Sequence, residues 1–349
     1  MSQNLFDLQV AAGATHDESG WPAHYGNPHA EYARAKTEVA LFDLTGRTQI
    51  EMTGKDRVKF LHSFSTNDIK SLTAGRGCET FLPTIQGKVL AHLFVFAEDE
   101  SLWLDSVPGC AAQIVPHLSK FRIREDVEFV DHTDELGVLF LTGPDAEDWL
   151  QRFDLPVPLS PLQLSRAANE RIQVRRADLL GVPGWELCIP VQEAAAVWTQ
   201  ITNAGVKPAG MHVFHALRIE AGMPWYGLDI TTDNLAQEVA RTATAISFNK
   251  GCYLGQEPIA RIDALGHVNQ ELRSLHFAST PAPVPGTQLF GADEDKSIGR
   301  VTSSIVSPAD DLPVALGFVR RGFNAAGAMV RWKNGEEWVN GKVQMTNDK

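Results

Sequence analysis

The texture of the sequence changes after Arg273. A loop at Ala282-Pro283-Val284-Pro285-Gly286 gives way to short strand-like runs, Gly299 to Ile305, Val314 to Val319 and Ala328 to Trp332, separated by Gly, Pro, Asp and Asn. Short strands at close spacing with turn residues between them predict a small β-barrel over residues 272–349.

Upstream, helices alternate with hairpins. Asn27-Pro28 reads as a cap followed by proline at the first helical position, opening a helix over Glu31 to Ala40 that runs into Leu41-Phe42-Asp43-Leu44. Thr48 to Thr53 alternates like a strand, and Gly54-Lys55-Asp56 opens a helix with Val58, Leu61 and Phe64 at helical spacing. Val89 to Phe96 and Ser101 to Ser106 read as a hairpin, and Gly109 to Phe121 as a helix. Val138 to Thr142 reads as a buried strand feeding a helix from Pro144. Arg171 to Asp178 and Trp185 to Pro190 form a second hairpin through Val182-Pro183-Gly184, followed by a helix from Gln192 to Ala204. The class is α+β.

The chain has 349 residues, enough for two or three domains with substantial cores. A formal charge of −12 argues against broad binding to a phosphate backbone, so no direct nucleic-acid partner is expected. Cys78, Cys110, Cys188 and Cys252 are far apart and contain no C-x-x-C pair, which fits a reducing compartment. The first residues lack the basic start and apolar run of a signal peptide, and the most apolar stretch, Val89 to Ala97, is too short to span a bilayer. A cytoplasmic protein with no membrane partner is expected.

The chemistry concentrates in Ser247 to Ile262, which packs Lys250, Cys252, Gln256, Glu257 and Arg261 around Gly251 and Gly255. The glycines permit unusual backbone conformations and Pro258 biases Glu257 toward an extended one, so the segment reads as a sharp loop between strand-like ends, with Cys252 in the bend. Lys250 and Arg261 are placed to favour a thiolate at Cys252, the form that acts as nucleophile or metal ligand. The alternative is a cysteine that serves as a small buried hydrophobe.

A second acid stands out on a predicted helix over Gly210 to Ala221, with Gly222 as its stop. Counting from Val213 at about 100° per residue, Leu217 falls about 40° to one side and Glu220 about 20° to the other, in the middle of the apolar stripe. It also lies in the last turn, where the helix dipole disfavours negative charge. Two penalties on one carboxylate call for a compensating partner, either an arginine across an interface or a ligand. Trp225 and Tyr226, just beyond the helix, either stack on such a ligand or belong to the core. His212 and His215 share that helix without an evident third ligand, so no metal site is expected.

Lys250-Gly251-Cys252-Tyr253-Leu254-Gly255-Gln256-Glu257 resembles the Lys-Gly-Cys-Tyr-x-Gly-Gln-Glu signature of the YgfZ family, folate-binding relatives of the glycine-cleavage T-protein (aminomethyltransferase). Thr66-Asn67-Asp68 and Leu41-Phe42-Asp43-Leu44 also match the T-protein pattern. Leu217-Arg218-Ile219-Glu220-Ala221-Gly222 followed by Tyr226-Gly227 is similar to the family segment whose glutamate holds the pterin ring. The resemblance covers nearly the whole chain. It implies a three-domain clover-leaf around a folate pocket: a discontinuous folate-binding domain over 1–48 and 137–271, an inserted α+β domain over 49–136, and the barrel. It further implies tetrahydrofolate, or a one-carbon derivative, bound through Glu220 with Tyr226, Trp225 and Arg261. A carboxylate meets the paired N–H donors of a pterin edge in bidentate geometry.

The resemblance also shows a departure. T-proteins carry Gly-Gly-x-x-Asp-Asp-Leu where this chain has Gly87-Lys88-Val89-Leu90-Ala91-His92-Leu93, so Ala91 and His92 replace the aspartates. Whether the chain is an enzyme is left open. His92 is either a base or a structural residue of an alternating strand. The leading expectation is a folate-binding accessory protein that supports assembly or repair of iron–sulfur enzymes, including those that modify tRNA. Cys252 and Lys250 would be its working residues, and iron–sulfur client or assembly proteins its partners. The alternatives are a folate-dependent one-carbon transferase and a folate-binding module without thiol chemistry.

Overall fold

The computed structural model describes residues 4–168 and 171–344. A six-stranded sheet takes its strands in the order Leu164–Arg166, Gln173–Arg176, Gly184–Pro190, Leu136–Thr142, Ala40–Asp43 and Lys207–Pro208. All its pairings are antiparallel except the last, where Lys207 aligns in parallel with Ala40. A five-stranded antiparallel sheet takes the order Gly77–Pro83, Val89–Ala97, Ser101–Ser106, Thr48–Thr53 and Glu128–Asp131. The chain therefore leaves the first sheet after Asp43, builds the whole of the second, and rejoins the first at Leu136. Residues 270–344 close into a six-stranded barrel in which Gln270–Phe277 pairs with both Pro313–Arg320 and Glu337–Gln344. The fold is α+β with a C-terminal barrel.

Helix ends follow local chemistry. The Asn27 side chain accepts the Ala30 N–H and Pro28 takes the first position of the Pro28–Thr37 helix, which stops earlier than its sequence suggests because Ala40 is recruited into a strand. Met211–Glu220 is followed by Gly222 at φ +74°, a left-handed conformation that ends a helix without Cβ strain. Several short elements, Glu128–Asp131, Leu164–Arg166 and Lys207–Pro208 among them, are absent from the sequence reading, and two further differences bear on the site. Gly77–Pro83 is a strand absent from that reading, and the segment ending at Ile262 is helical, not strand-like. The helix Gln256–Leu265 begins after Gly255 (φ +77°), with Pro258 in its first turn. An N–H there has no intrahelical acceptor in any case, so proline costs the helix nothing and Glu257 is helical.

The three parts share a core. One buried cluster joins Ile50, Leu93 and Leu104 of the five-stranded sheet to Ile219, Tyr226 and Ile259 and to Leu272, Leu316 and Phe318 of the barrel. A second packs Phe42, Phe140 and Phe214 under the six-stranded sheet. Among the described residues, no helix is long and apolar enough to cross a membrane.

Candidate functional site

A cleft of about 370 Å³ opens where the two sheets meet, within the size range of small-molecule sites. Glu79 and Phe94 line it from the five-stranded sheet, Leu162 and Asp178 from the six-stranded side, Ala221 and Met223 from beyond the Met211–Glu220 helix, and Arg241 and Thr244 from the next connection. Next to it is a slot of about 20 Å³, room for about one water, whose walls include Arg47, His92, Leu179, Arg218 and Trp225. Phe94 and Met223 line both spaces and stand between them.

The floor of the cleft follows from strand register. Glu79 is paired with Phe94 and Phe81 with His92, so these four side chains share one face. Ala91, one residue earlier, must face the other way, and it is fully buried in the core. Of Ala91 and His92, only His92 lines the slot. Its Nε2 lies 2.7 Å from Glu79 Oε1, and its ring sits between Phe81 and Phe94 at centroid distances of 5.2 and 5.3 Å. Arg241 donates Nε to Glu79 Oε1 at 2.8 Å and Nη2 to Oε2 at 2.5 Å. Burial alone would push the Glu79 carboxyl up, but Arg241 and the His92 hydrogen bond outweigh it and hold the group well below the usual carboxylate range. Glu79 is an anion and an acceptor, so the shared proton belongs to His92 Nε2.

The neighbouring cations are committed elsewhere. Arg218 pairs with Asp229 at 2.5 Å, and Asp229 also accepts from Thr302 and Ser303, fastening the helix to the barrel. Arg47 pairs with Asp105. It also lies 3.3 Å from Glu186, a buried carboxylate whose two oxygens have no hydrogen-bond partner among the described residues. Burial first, and then Asp105, pushes the Glu186 carboxyl up to about 7 against the pull of Arg47 and Arg175.

A family model described as the GCVT N-terminal domain matches residues 5–250, well over half of the chain. The chain belongs to the GCVT family. Its relatives include the aminomethyltransferase of Saccharopolyspora erythraea, 29% identical over 91% of this chain and 89% of that protein. That of Bacillus subtilis is 26% identical over 98% and 97%. The crystal structure of glycine cleavage system aminomethyltransferase T from Bartonella henselae superposes with a TM-score of 0.85 at 22% identity, covering 99% of this chain and 97% of that one, and establishes a common fold.

In this GCVT-family chain the sequence-derived candidates fall in three places. Glu220 ends its helix beside the cleft-lining Ala221, and its oxygens are held by hydroxyls: Tyr32 donates to Oε2 and Ser307 to Oε1, each at 2.7 Å. The compensating partners are thus not an arginine. Trp225 and Tyr226 diverge: Trp225 packs edge-on to Trp21 and Phe214 and lines the slot, whereas Tyr226 is buried in the core shared with the five-stranded sheet. Cys252 is exposed and precedes the left-handed Gly255, so the sharp turn lies beyond the thiol and not at it. Lys250 is buried, and its Nζ donates to the carbonyls of His62, Ser65 and Asn67 at 2.6, 2.6 and 2.8 Å. These include carbonyls at the end of the Arg57–Phe64 helix, which therefore gains a charged cap. Burial draws the Lys250 ammonium down to about 8. Arg261 lies on an exposed face of the Gln256–Leu265 helix.

The sequence reading missed Glu79 and Arg241. The signal for Glu79 was available: an acid among the apolar residues of Gly-Cys-Glu-Thr-Phe-Leu-Pro carries the same penalty that drew attention to Glu220. Arg241 lies in an irregular connection after Ala240 at φ +57°, where periodicity says nothing. Among the described residues, no group of three or more His, Cys, Asp or Glu could hold a metal ion.

Proposed function

We propose that the chain binds tetrahydrofolate or a one-carbon derivative in the cleft between its sheets. The observation that carries this reading is the cleft itself, a small-molecule-sized space floored by the buried Glu79 paired with a half-buried Arg241 and walled by Phe94 and Met223, in a fold whose relatives are aminomethyltransferases. Glu220 adjoins that space, and both of its contacts are neutral hydroxyls that the paired N–H donors of a pterin edge would displace. Titration with folinic acid, followed by quenching of tryptophan fluorescence, tests the reading. Saturable binding that competes with tetrahydrofolate supports it, and no binding rejects it.

Within that reading the chain acts as a folate-binding accessory protein for iron–sulfur cluster assembly or repair and for the tRNA-modifying enzymes that depend on it. Iron–sulfur client or assembly proteins are its partners, and it needs no direct contact with nucleic acid or membrane. Support comes from the signature around Cys252, from the exposure of that thiol, and from the loss of the paired aspartates at Ala91 and His92. The residues proposed to act are Cys252 and Lys250, with Glu220, Trp225, Tyr226 and Arg261 toward the folate. The units proposed are 1–48 with 137–271, 49–136, and 272–349. Complementation of a deletion strain by Cys252→Ser tests the thiol role, since full restoration of iron–sulfur enzyme activity would reject it. A second reading, a one-carbon transferase, is favoured by one observation: His92, a group able to move a proton, faces the slot in place of an acid.

A further inference from the structure

The Arg57–Phe64 helix sends Leu61 into the core and leaves a second side open. Phe60 and Phe64 are four residues apart, as are Lys59 and Ser63, so the two pairs run as neighbouring rows along it. Facing those rows is the connection after the Ala111–Ser119 helix, where Phe121 stacks on Phe64 with ring centroids 4.8 Å apart. Between them lies a groove of about 330 Å³, lined by Lys59, Phe60, Ser63, Phe64, Phe121 and Arg124. Phe64 and Phe121 are half-buried, and Ile123 in the same connection is 84% exposed, so the groove and its rim keep apolar surface in water.

The charges around the groove differ in what they already do. Asp56 accepts the Asp126 N–H at 2.9 Å, and Glu125 accepts those of Ile123 and Arg124 at 2.9 and 3.0 Å, so both carboxylates serve their own turns. The side chains of Lys59 and Arg124 make no hydrogen bond, and no ion pair within 4 Å, among the described residues. The Cys252 segment lies at the end of the same helix. The Leu254 N–H donates to the Ser63 carbonyl at 2.9 Å, the Lys250 ammonium to those of His62 and Ser65, and the Ser247 N–H to that of Thr66. Cys252 is two residues from Leu254, so the two backbones are within about 7 Å of each other, beside the Ser63 and Phe64 that line the groove. Cys252 is exposed, and a Cβ at Gly251 would meet nothing within 4 Å, so this part of the loop is open to a partner.

We propose that this groove seats a segment of a partner protein that carries an aromatic or aliphatic side chain between carboxylates, laying the partner along the Cys252 loop. The apolar side chain fits among Phe60, Phe64 and Phe121, and the carboxylates meet Lys59 and Arg124, whose charges nothing else has taken up. A nucleic-acid strand fits less well. It would run past the groove over Asp56, Glu125 and Asp126 on a chain of formal charge −12, whereas a short acidic segment ends where the cations do. That the docked partner is one on which the Cys252 thiol acts rests on the reading above, whereas the docking itself does not.

The test uses the full-length protein and short fluorescein-labelled peptides whose central phenylalanine is flanked by glutamates, by lysines or by glutamines, followed by fluorescence anisotropy. The glutamate peptide should bind saturably and most tightly of the set. Lys59→Gln combined with Arg124→Gln should weaken it about tenfold without lowering the melting temperature. At saturation the peptide should slow alkylation of Cys252 several-fold. Equal binding of all the peptides overturns the proposal, as does binding indifferent to the two substitutions or an alkylation rate unmoved by bound peptide. Tighter binding of an oligothymidylate through Lys59 and Arg124 overturns it in favour of nucleic acid, and self-association that the two substitutions abolish overturns it in favour of a second copy. In a deletion strain, Lys59→Glu with Arg124→Glu should fail to restore iron–sulfur enzyme activity. Full restoration by that variant, beside failure of Cys252→Ser, overturns the docking and keeps the thiol reading. Full restoration by Cys252→Ser rejects the thiol reading instead, and the peptide measurements then decide the docking by themselves.

Discussion

The Tyr32 hydroxyl donates to Glu220 Oε2 at 2.7 Å and so ties the Pro28–Thr37 helix to the end of Met211–Glu220, while Ser307 takes the other oxygen from the barrel side. Burial and this hydrogen bond both push the Tyr32 phenol far above its ordinary value, so it stays a donor throughout the physiological range. Glu220 has two possible duties, ligand contact and structural fastener, and they separate experimentally. Glu220→Ala and Glu220→Gln should each lower affinity for folinic acid ten- to a hundred-fold, the loss of a charged hydrogen bond worth about 1.5–3 kcal/mol. Calorimetric titration of the two variants checks this. Unchanged affinity with a lowered melting temperature would assign Glu220 to fastening alone.

Glu186 predicts a pH dependence of stability. Its folded carboxyl is raised from 4.5 to about 7, so the folded protein holds a proton that the unfolded chain has released between those values. The stabilisation is fully present below the unfolded value and is lost as pH rises through the folded one, on the order of 3 kcal/mol in all. The groups facing it are Asp105 and Arg47 from the adjoining sheet and connection, with Arg175 and Cys188 from its own sheet. Urea unfolding of wild type and Glu186→Gln at pH 5 and pH 8 should give similar stabilities at the lower pH and a more stable variant at the higher. A wild-type advantage at pH 8 would show that the carboxylate is held by the two arginines after all.

The two glycines of the Cys252 segment should respond differently to alanine. A Cβ at Gly255 would lie 2.3 Å from the Thr84 carbonyl oxygen on a backbone with φ +77°, whereas one at Gly251 meets nothing within 4 Å and has no left-handed angle to resist it. Gly255→Ala should cost about 2 kcal/mol or more, and Gly251→Ala less than about 0.5 kcal/mol. Equal melting temperatures for the two variants would contradict this.

Alkylation should separate the cysteines. Burial pushes the Cys78 and Cys188 thiols up to about 12 and raises that of Cys110, and only Cys252 is exposed. A thiol at 12 has about a thousandfold less thiolate than one of ordinary pKa near neutrality. Brief iodoacetamide treatment with peptide mapping should mark Cys252 first, and Cys252→Ser should leave the melting temperature unchanged within about a degree. Early labelling of Cys188 would disprove the packing described for it.

Much of this molecule was readable from residue patterns because most of its elements announce themselves locally. The Asn27-Pro28 cap, the Gly222 stop and the alternation of Val89 to Phe96 are short-range signals, and the class and the barrel follow from them. The barrel's full complement was not readable, since Gln270–Phe277 lies across the point where the texture changes and Glu337–Gln344 carries an exposed, charged alternation. Pro258 misled because the same ring that restrains a preceding residue is harmless in a first helical turn. The acidic floor of the cleft depends on Arg241 reaching Glu79 across 162 positions, and no local pattern encodes such a meeting.

Asp43 is paired with Leu139, and the Leu44 N–H bonds to the Val138 carbonyl, so the chain departs for the five-stranded sheet and returns from it at neighbouring points. In topological terms residues 48–131 form a cassette. Replacing them with a short turn would leave every backbone pairing of the six-stranded sheet in place, though it would bare Tyr226 and Ile259. Such an excision takes Glu79, His92 and Phe94 away and leaves Arg241, Asp178 and Met223 behind. The two banks of the cleft therefore belong to separately exchangeable pieces of chain, and the chemistry on one bank can be rewritten while the other keeps its shape.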